Sequence, residues 1–583
     1  MRPADGPLIV QSDFTVLLDG RHPKTDEAKA DLAAFAELRK MPGDLHTYRI
    51  TPLSLWNAAA AGRTADGIAE CLRRWSRYDV PGELLRSIYR LAGRYGRLRL
   101  VRHAGGLLLQ ADEPALLAEL AAAGSAELDG MLASKRLVSF GLYAWLVREA
   151  DRGLIKRLLT KLGYPVMDLA GYHRGESLPI SLLTVTKSGR PFGLRGYQLD
   201  AVRRFCGGDP LSGGSGVLVL PCGAGKTIIG IASLAELGCA ALILTAGNTS
   251  VRQWRDELLD KTTLLPEQVG EYAGDNRDVR PVTIATYQLL TRRSASGGHP
   301  HMKLFGERDW GLIIYDEVHQ LPAPVFRMTA DIQATRRLGL TATLIREDGR
   351  EKDVFSLIGP TRCELAWKPL EAEGWIASVE CAEIRVPLEE PEASAYGSAD
   401  SRTRARIAAE NPAKNRIVAR LLRQHAGKPV LVIGQYLRQL RGLSAELGIP
   451  LLTGEVPQQE REALYDRFRR GDIPVLAVSK VANFAVDLPD AAVAVQLSGS
   501  YGSRQEEAQR IGRILRPKSG DNRAWFYTLV TEGTRETEDA LKRRLFLTEQ
   551  GYAYRIELPE GPADVRAAVM GRGAAGTETE VPI

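Results

Sequence analysis

The chain has 583 residues, 44% hydrophobic and 25% charged, a balance that fits a globular protein with several cores and, by length alone, roughly four domains. Its 77 Lys and Arg against 71 Asp and Glu leave a formal charge of +6, which permits a nucleic-acid partner without demanding one. The six cysteines (Cys71, Cys206, Cys222, Cys239, Cys363, Cys381) form no C-x-x-C pair, which argues against a zinc or iron–sulfur centre and against a disulfide scaffold. The opening MRPADGPLIVQSDF lacks a signal-peptide pattern, and no apolar run approaches the ~20 residues of a membrane span, so a cytoplasmic location is expected.

From residue 25 to about 125 the pattern is helical. TPLSLWNAAAAG (51 to 62) shows it best, with Thr51 as N-cap, Pro52 at the first position and Gly62 as the stop. More helix and short strand follow in ADGIAECLRRWSRY and RLRLVRHAGGLLLQ, and none of it carries a catalytic constellation. Residues 135 to 190 mix short helices with strands. From about 190, apolar runs of four to six residues alternate with helical stretches, as a buried parallel sheet requires. The expected strands are 216–220, 241–245, 282–286, 312–316 and 337–341, with a second series at 430–434, 475–479, 493–497 and 525–530. Two α/β lobes joined by the polar stretch 387 to 412 are the economical reading. Within the second, SRQEEAQRIGRILRP (503 to 517) reads as a helix capped by Ser503 and Glu506 and stopped by Pro517. At about 100° per residue, Ile511, Ile514 and Leu515 form its apolar face, while Gln509, Arg513 and Arg516 form a stripe roughly opposite; Arg510 stands off that stripe. The Gly/Ala-rich end, 558 to 583, is expected to be a disordered tail.

The chemistry lies in the lobes. GVLVLPCGAGKTIIGIASLAELG (216 to 238) is a strand, a glycine-bearing turn and a helix, with Leu220 standing where the general P-loop pattern has its first Gly. Backbone N–H groups of Gly223, Ala224 and Gly225 with the helix N-terminus would cradle phosphates, Lys226 would reach the terminal phosphates, and Thr227 would hold magnesium. GLIIYDEVH (311 to 319) delivers Asp316 and Glu317 at a strand end. Asp316 suits water-mediated magnesium coordination, Glu317 is placed to polarise the water attacking the γ-phosphate, and His319 would couple the site to its surroundings. Arg513 and Arg516, with Gln509 beside them, are assigned to the charge that develops on the γ-phosphate. ATP and magnesium are thus the expected cofactors.

The motifs LRGYQLDAV, LPCGAGKT, VTIATYQ, DEVH, GLTAT, TGE, SKVANFAVDLPDA and QRIGRILR occur in the order of a superfamily 2 helicase. REDGRE after GLTAT, GSRQEEAQRIGRILRPK and FLTEQGYAYRI resemble, more narrowly, the XPB (xeroderma pigmentosum group B) DNA helicase family in its bacterial form, as does FAELRKMPGDLHTYRITPLSLWNAAAAG near the start. The resemblance implies two RecA-like parallel-sheet lobes, an N-terminal, mainly helical domain (1–130) and a small damage-recognition-like α+β domain (131–190). Lobe 1 would span 191–386, a short thumb-like insertion 387–412, and lobe 2 413–557. It further implies that Arg195 and Gln198 contact adenine and that Arg346, Glu347 and Asp348 form a RED loop near the DNA fork. Thr286, Lys480 and the thumb's Arg402, Arg404 and Arg406 would touch DNA, with 3'-to-5' movement.

Three functional readings follow. The leading one is an ATP-dependent DNA helicase or translocase acting on duplex or forked DNA in nucleotide excision repair or transcription, with a nuclease as a partner protein. The alternatives are an RNA helicase, because both polymers share the phosphate backbone, and a double-stranded DNA translocase that remodels protein–DNA complexes without separating strands. Residues 1 to about 190 are expected to be a separately folded domain for regulation or recognition, with a structural cap needed for solubility as the alternative; on the first reading a chain beginning near Pro191 folds and hydrolyses ATP, because the motor motifs lie within 194 to 516.

Overall fold

A computed structural model describes residues 6–40, 44–207, 214–294, 298–322, 324–325, 328–329, 332–333, 335–342, 351–479, 491–499, 510–512, 514–518, 522–549, 552 and 554–558. By its internal packing the chain divides into two compact units, one built mainly on Thr47–Leu220 with Gly225–Leu365, the other on Ala366 onward.

The first unit opens less helically than the sequence suggests. Four strands, β1 (Leu8–Val10), β2 (Thr15–Asp19), β3 (Glu37–Lys40) and β4 (Leu45–Arg49), form a sheet in the order β1-β2-β4-β3. They escaped notice because each is three to five residues long, too short for the alternation of β2, buried at every second position, to stand out. The Pro52–Ala60 helix follows as expected: the Thr51 hydroxyl accepts from the Ser54 amide at 3.0 Å, and Gly62 takes φ 88° beyond its end. Five more strands, β5 (Leu98–His103), β6 (Gly106–Ala111), β7 (Leu137–Ser139), β8 (Ala144–Val147) and β9 (Val166–Asp168), make a sheet in the order β7-β8-β6-β5-β9. That sheet crosses the expected boundary at 130/131, because β5 and β6 find their hydrogen-bonding partners in β8 and β9. Its core face, Leu98, Leu100, Leu107, Leu109, Trp145 and Val147, packs on Ile155, Leu158 and Leu159 of the Arg152–Lys161 helix.

Residues 176 to 187 then run as a strap over the following layer. Glu176 N–H donates to Asp309 O, Leu178 to Gly238 O, Leu183 to Lys261 O and Lys187 to Asp260 O, all between 2.8 and 3.0 Å. That layer is an all-parallel sheet of β10 (Ser215–Val219), β11 (Ala241–Thr245), β12 (Val269–Tyr272), β13 (Val282–Thr286), β14 (Leu312–Asp316), β15 (Arg336–Thr341) and β16 (Thr361–Glu364), ordered β12-β13-β11-β14-β15-β10-β16. The five expected strands are present within one residue of their predicted ends. Their near-continuous burial follows from helices covering both faces.

The second unit repeats the theme: β17 (Ser378–Val386), β18 (Val430–Gly434), β19 (Leu451–Leu452), β20 (Val475–Ser479), β21 (Val493–Gln496), β22 (Arg523–Thr531) and β23 (Tyr554–Glu557) lie in the order β19-β20-β18-β21-β22-β17-β23, all parallel. The polar stretch 387–412 folds as two helices, Glu392–Ser398 and Ser401–Ala409, the second capped by the Asp400 carboxylate. Leu558 ends the described residues, so the expected tail lies outside them.

Candidate functional site

In an open parallel sheet, ligands gather at the carboxyl ends of the strands, and in the first unit the chemistry-bearing residues do so. β10 runs into the glycine turn, where Gly223 and Gly225 take φ 84° and 78°, the left-handed region that glycine enters without steric cost. Gly225 N-caps the Lys226–Leu237 helix, so Lys226 and Thr227 stand at a helix N-terminus, and Ala224 in the turn is buried. A Cβ on Gly225 would come within 2.6 Å of Gln198 Nε2, so the Gln198 amide lies directly over the turn. Gln198, 3% exposed, accepts the Arg195 amide proton at 3.0 Å through Oε1, and Arg195 donates its guanidinium to the Tyr197 hydroxyl at 3.0 Å.

β14 ends in Asp316, and Glu317 follows with φ 52°, a left-handed conformation rare for a residue with a Cβ and one of the strained arrangements that cluster at functional sites. The turn places Glu317 Oε1 3.7 Å from Lys226 Nζ and Oε2 3.4 Å from His319 Nδ1. His319 Nδ1 also stands 2.7 Å from the Thr341 hydroxyl, while Thr341 O accepts the Leu220 amide at 2.9 Å. Thr341 closes β15, which lies between β14 and β10, so one threonine ties the DEVH strand to the strand that feeds the phosphate loop. Burial pushes the Asp316 carboxyl up to about 6 and the adjacent Glu317 adds to the rise, while a hydrogen bond from Trp254 and the Lys226 charge pull the other way.

Sequence reasoning missed Trp254, which donates Nε1–H to Asp316 Oδ2 at 3.0 Å, and Tyr287, whose hydroxyl donates to Asp316 O at 3.0 Å. One faint signal was present: Gly230, a glycine in the interior of the phosphate-loop helix, unfavourable there unless something packs close.

Other expected residues fare differently. Thr286 is turned inward, 3% exposed, and its hydroxyl accepts from the Leu289 amide at 3.4 Å to cap the Tyr287–Leu290 helix. Arg402, Arg404 and Arg406 lie on one exposed helix, but Arg404 is folded back, donating to Tyr396 O at 3.0 Å and Gly397 O at 2.8 Å. A cavity of about 260 Å³ beside them is lined by Tyr396, Arg402, Arg404, Gln435, Tyr436 and Arg535. Ile511, Ile514 and Leu515 are fully buried, as the apolar face requires, and Arg510 is buried with them. The helix does not reach Pro517: Arg510–Gly512 are helical, but by Ile514 the chain has left the helix. A residue preceding proline is driven out of the α region, and Leu515 O instead accepts the Ala377 amide at 2.8 Å while Lys518 Nζ takes Ile514 O at 2.6 Å. Arg516 therefore sits beyond the helix. Gln509, Arg513, Lys480 and the RED residues Arg346, Glu347 and Asp348 lie outside the described residues.

Comparison with known proteins supplies the family. ERCC3/RAD25/XPB C-terminal helicase matches residues 370–566, the res subunit of type III restriction enzymes matches 191–346, and a helicase conserved C-terminal domain matches 8–132. The DNA 3'-5' helicase XPB of Kineococcus radiotolerans is 52% identical over 95% of this chain and 96% of its own length. The chain belongs to the XPB helicase family. A second DNA 3'-5' helicase XPB, from Mycobacterium tuberculosis, is 51% identical over 95% of this chain and 98% of its own, and the general transcription and DNA repair factor IIH helicase/translocase subunit XPB of Antonospora locustae is 33% identical over 98% and 84%. As an XPB-family protein the chain is an ATP-hydrolysing superfamily 2 helicase. Among the described residues of this XPB-family chain, no helix is long and apolar enough to cross a membrane.

Proposed function

We propose that the protein is an ATP-driven 3'-to-5' DNA helicase and translocase acting on forked or duplex DNA in nucleotide excision repair or transcription-linked processing. The observation that carries the reading is identity above 50%, along 95% of the chain, to two proteins named DNA 3'-5' helicase XPB. The gathering of Lys226, Asp316, Glu317, His319 and Thr341 at adjacent strand ends supports it. In a repair role a separate nuclease would make the incisions.

The donor chemistry fits magnesium: one carboxylate at Asp316 and one hydroxyl at Thr227, both oxygen, suit a hard cation that keeps several waters. Bound magnesium would supply charge neutralisation at the β- and γ-phosphate oxygens. The protein's own groups do the rest. Gln198 and Arg195 take the adenine side, and Gly223, Ala224, Gly225 and Lys226 hold the phosphates. Glu317 orients the attacking water and accepts its proton. Arg513 and Arg516, with Gln509, are assigned the γ-phosphate charge, so that Arg513→Ala would lower turnover roughly 10³-fold. Arg402, Arg406 and Lys480 would meet the DNA backbone, with 387–412 as a short thumb, and Arg346, Glu347 and Asp348 would lie near a fork.

ATPase assays with duplex DNA, single-stranded DNA, forked DNA and RNA in parallel test the reading. DNA is expected to stimulate turnover well beyond RNA, Lys226→Ala to abolish it, and Glu317→Gln to retain bound ATP unhydrolysed. Equal stimulation by RNA, or near-normal hydrolysis by the Glu317→Gln protein, would overturn the assignment.

A further inference from the structure

We infer that Trp254 is a positioning residue for the nucleotide-bound metal, its indole fixing both the orientation of the Asp316 carboxylate and its spacing from the phosphate-loop helix. The inference rests on Asp316 being the magnesium carboxylate, as proposed above. Trp254 projects from the Asn248–Lys261 helix and is 1% exposed. One edge of the ring donates Nε1–H to Asp316 Oδ2 at 3.0 Å. The opposite edge lies over Gly230, one turn into the Lys226–Leu237 helix: a Cβ there would stand 2.5 Å from Trp254 Cη2 and 3.3 Å from Leu340 Cδ1.

The indole therefore spans the gap between the helix that presents Lys226 and Thr227 and the strand that presents Asp316. An indole N–H is a donor only, so it engages the carboxylate and never competes with it for a cation. By holding Oδ2 it also restrains the carboxylate from rotating about its own axis. The Tyr287 hydroxyl on Asp316 O fixes the backbone of the same residue. Gly230 makes this possible, because a Cβ at that position would collide with the Cη2 edge and force the ring out of its place between the helix and Asp316.

The test separates metal positioning from simple packing. Binding of fluorescent ADP with and without magnesium, together with the magnesium dependence of ATPase, is measured for the wild type, Trp254→Phe, Asp316→Asn and the double variant. Trp254→Phe keeps an aromatic side chain, one ring smaller, and loses the donor. It is expected to bind magnesium-free ADP within about twofold of wild type, while its half-saturating magnesium rises roughly 10-fold in both readouts, the scale seen when a group that orients a metal ligand is removed. Turnover should recover at saturating magnesium, and Trp254→Phe should add nothing in the Asp316→Asn background. Unchanged magnesium dependence in Trp254→Phe beside a strongly altered Asp316→Asn overturns the role of Trp254 alone; an unaltered Asp316→Asn overturns the magnesium reading and this inference with it. Gly230→Ala approaches from the other side, displacing the ring with its N–H intact, and is expected to raise half-saturating magnesium too. If Trp254→Phe does not fold, unchanged magnesium dependence in Gly230→Ala overturns the inference.

Discussion

Asp168 lies at the end of β9 with two cations against it. Arg152 reaches Oδ1 at 2.8 Å and Oδ2 at 3.0 Å, and Lys156 reaches Oδ2 at 2.9 Å, with both side chains buried. Burial alone would raise the Asp168 carboxyl, but Lys156 and Arg152 outweigh it and hold it well below the usual carboxylate range. A carboxyl depressed in the fold contributes stability above its unfolded value of ~4 and loses it as pH falls through that value and below. Asp168→Asn strands two buried cations, so a loss of about 3 to 5 kcal/mol is expected at neutral pH. Urea unfolding between pH 3 and 7 should also show a flatter acid limb in the variant; an unchanged limb would place the pH sensitivity elsewhere. None of this was legible in GLIKRLLTKLG, because Lys and Arg are almost never fully buried and read as a solvated face. The phosphate loop and DEVH were legible because glycine spacing and a strand-end acidic pair are local signals. Trp254 was not, since its partner Asp316 lies 62 residues away.

At the scale of elements, the stretch 387–412 reads in sequence as a polar connection. The structure shows why it is more than that. Lys414, fully buried, donates to Leu497 O at 2.9 Å and Glu536 Oε2 at 2.8 Å, with Ala409 O at 3.4 Å. Thr531 Oγ1 donates to Ala408 O at 2.6 Å, and Asn411 reaches Pro387 O at 3.0 Å. The Ser401–Ala409 helix is thus pinned through its last carbonyls to the sheet beside it, which gives Arg402 and Arg406 a fixed base. Lys414→Met removes the hub and leaves Glu536 without its cation, so the second unit should lose about 3 kcal/mol. Amide hydrogen exchange should speed up in 401–411 first; uniform exchange across the unit would show that the helix is held by other means. Periodicity marked the strands on either side, but a lysine in AKNRIVARLL gives no local sign that it points inward.

The packing of the whole molecule bears on one expectation. Most of the residues before 191, those of Met1–Leu38 and from Thr47 on, belong to the same compact unit as the first lobe. Lys156 Nζ donates to Gln333 Oε1 at 2.8 Å, Arg308 pairs with Glu176, Arg336 donates to His173 O at 2.9 Å, and Thr361 N–H donates to Asn57 Oδ1 at 3.2 Å. Trp56 adds an aromatic contact to Phe355, with ring centroids 6.3 Å apart. A chain beginning near Pro191 would take Trp56 away from Phe355 and strip Gln333 Oε1 of its buried lysine. It is therefore expected to be insoluble or to melt well below the full chain, with ATPase lost as a consequence. Circular dichroism melting with parallel ATPase assays decides: a truncated chain that melts and turns over normally would show the motor to be self-sufficient. The sequence pointed the other way because motifs mark chemistry and say nothing of which surfaces bury each other.

The bond from Lys156 to Gln333 spans 177 residues of chain, which sets an order of events at the ribosome. At about 5 to 20 residues per second, Lys156 emerges roughly 10 to 35 s before its partner does. During that interval β5 to β9 can close their sheet, with the ammonium satisfied by Asp168 and water in place of Gln333. The apolar flank that will later meet the first lobe stays wet meanwhile. Synthesis thus gives the platform time to close first, with the motor sheet arriving later to be assembled against it.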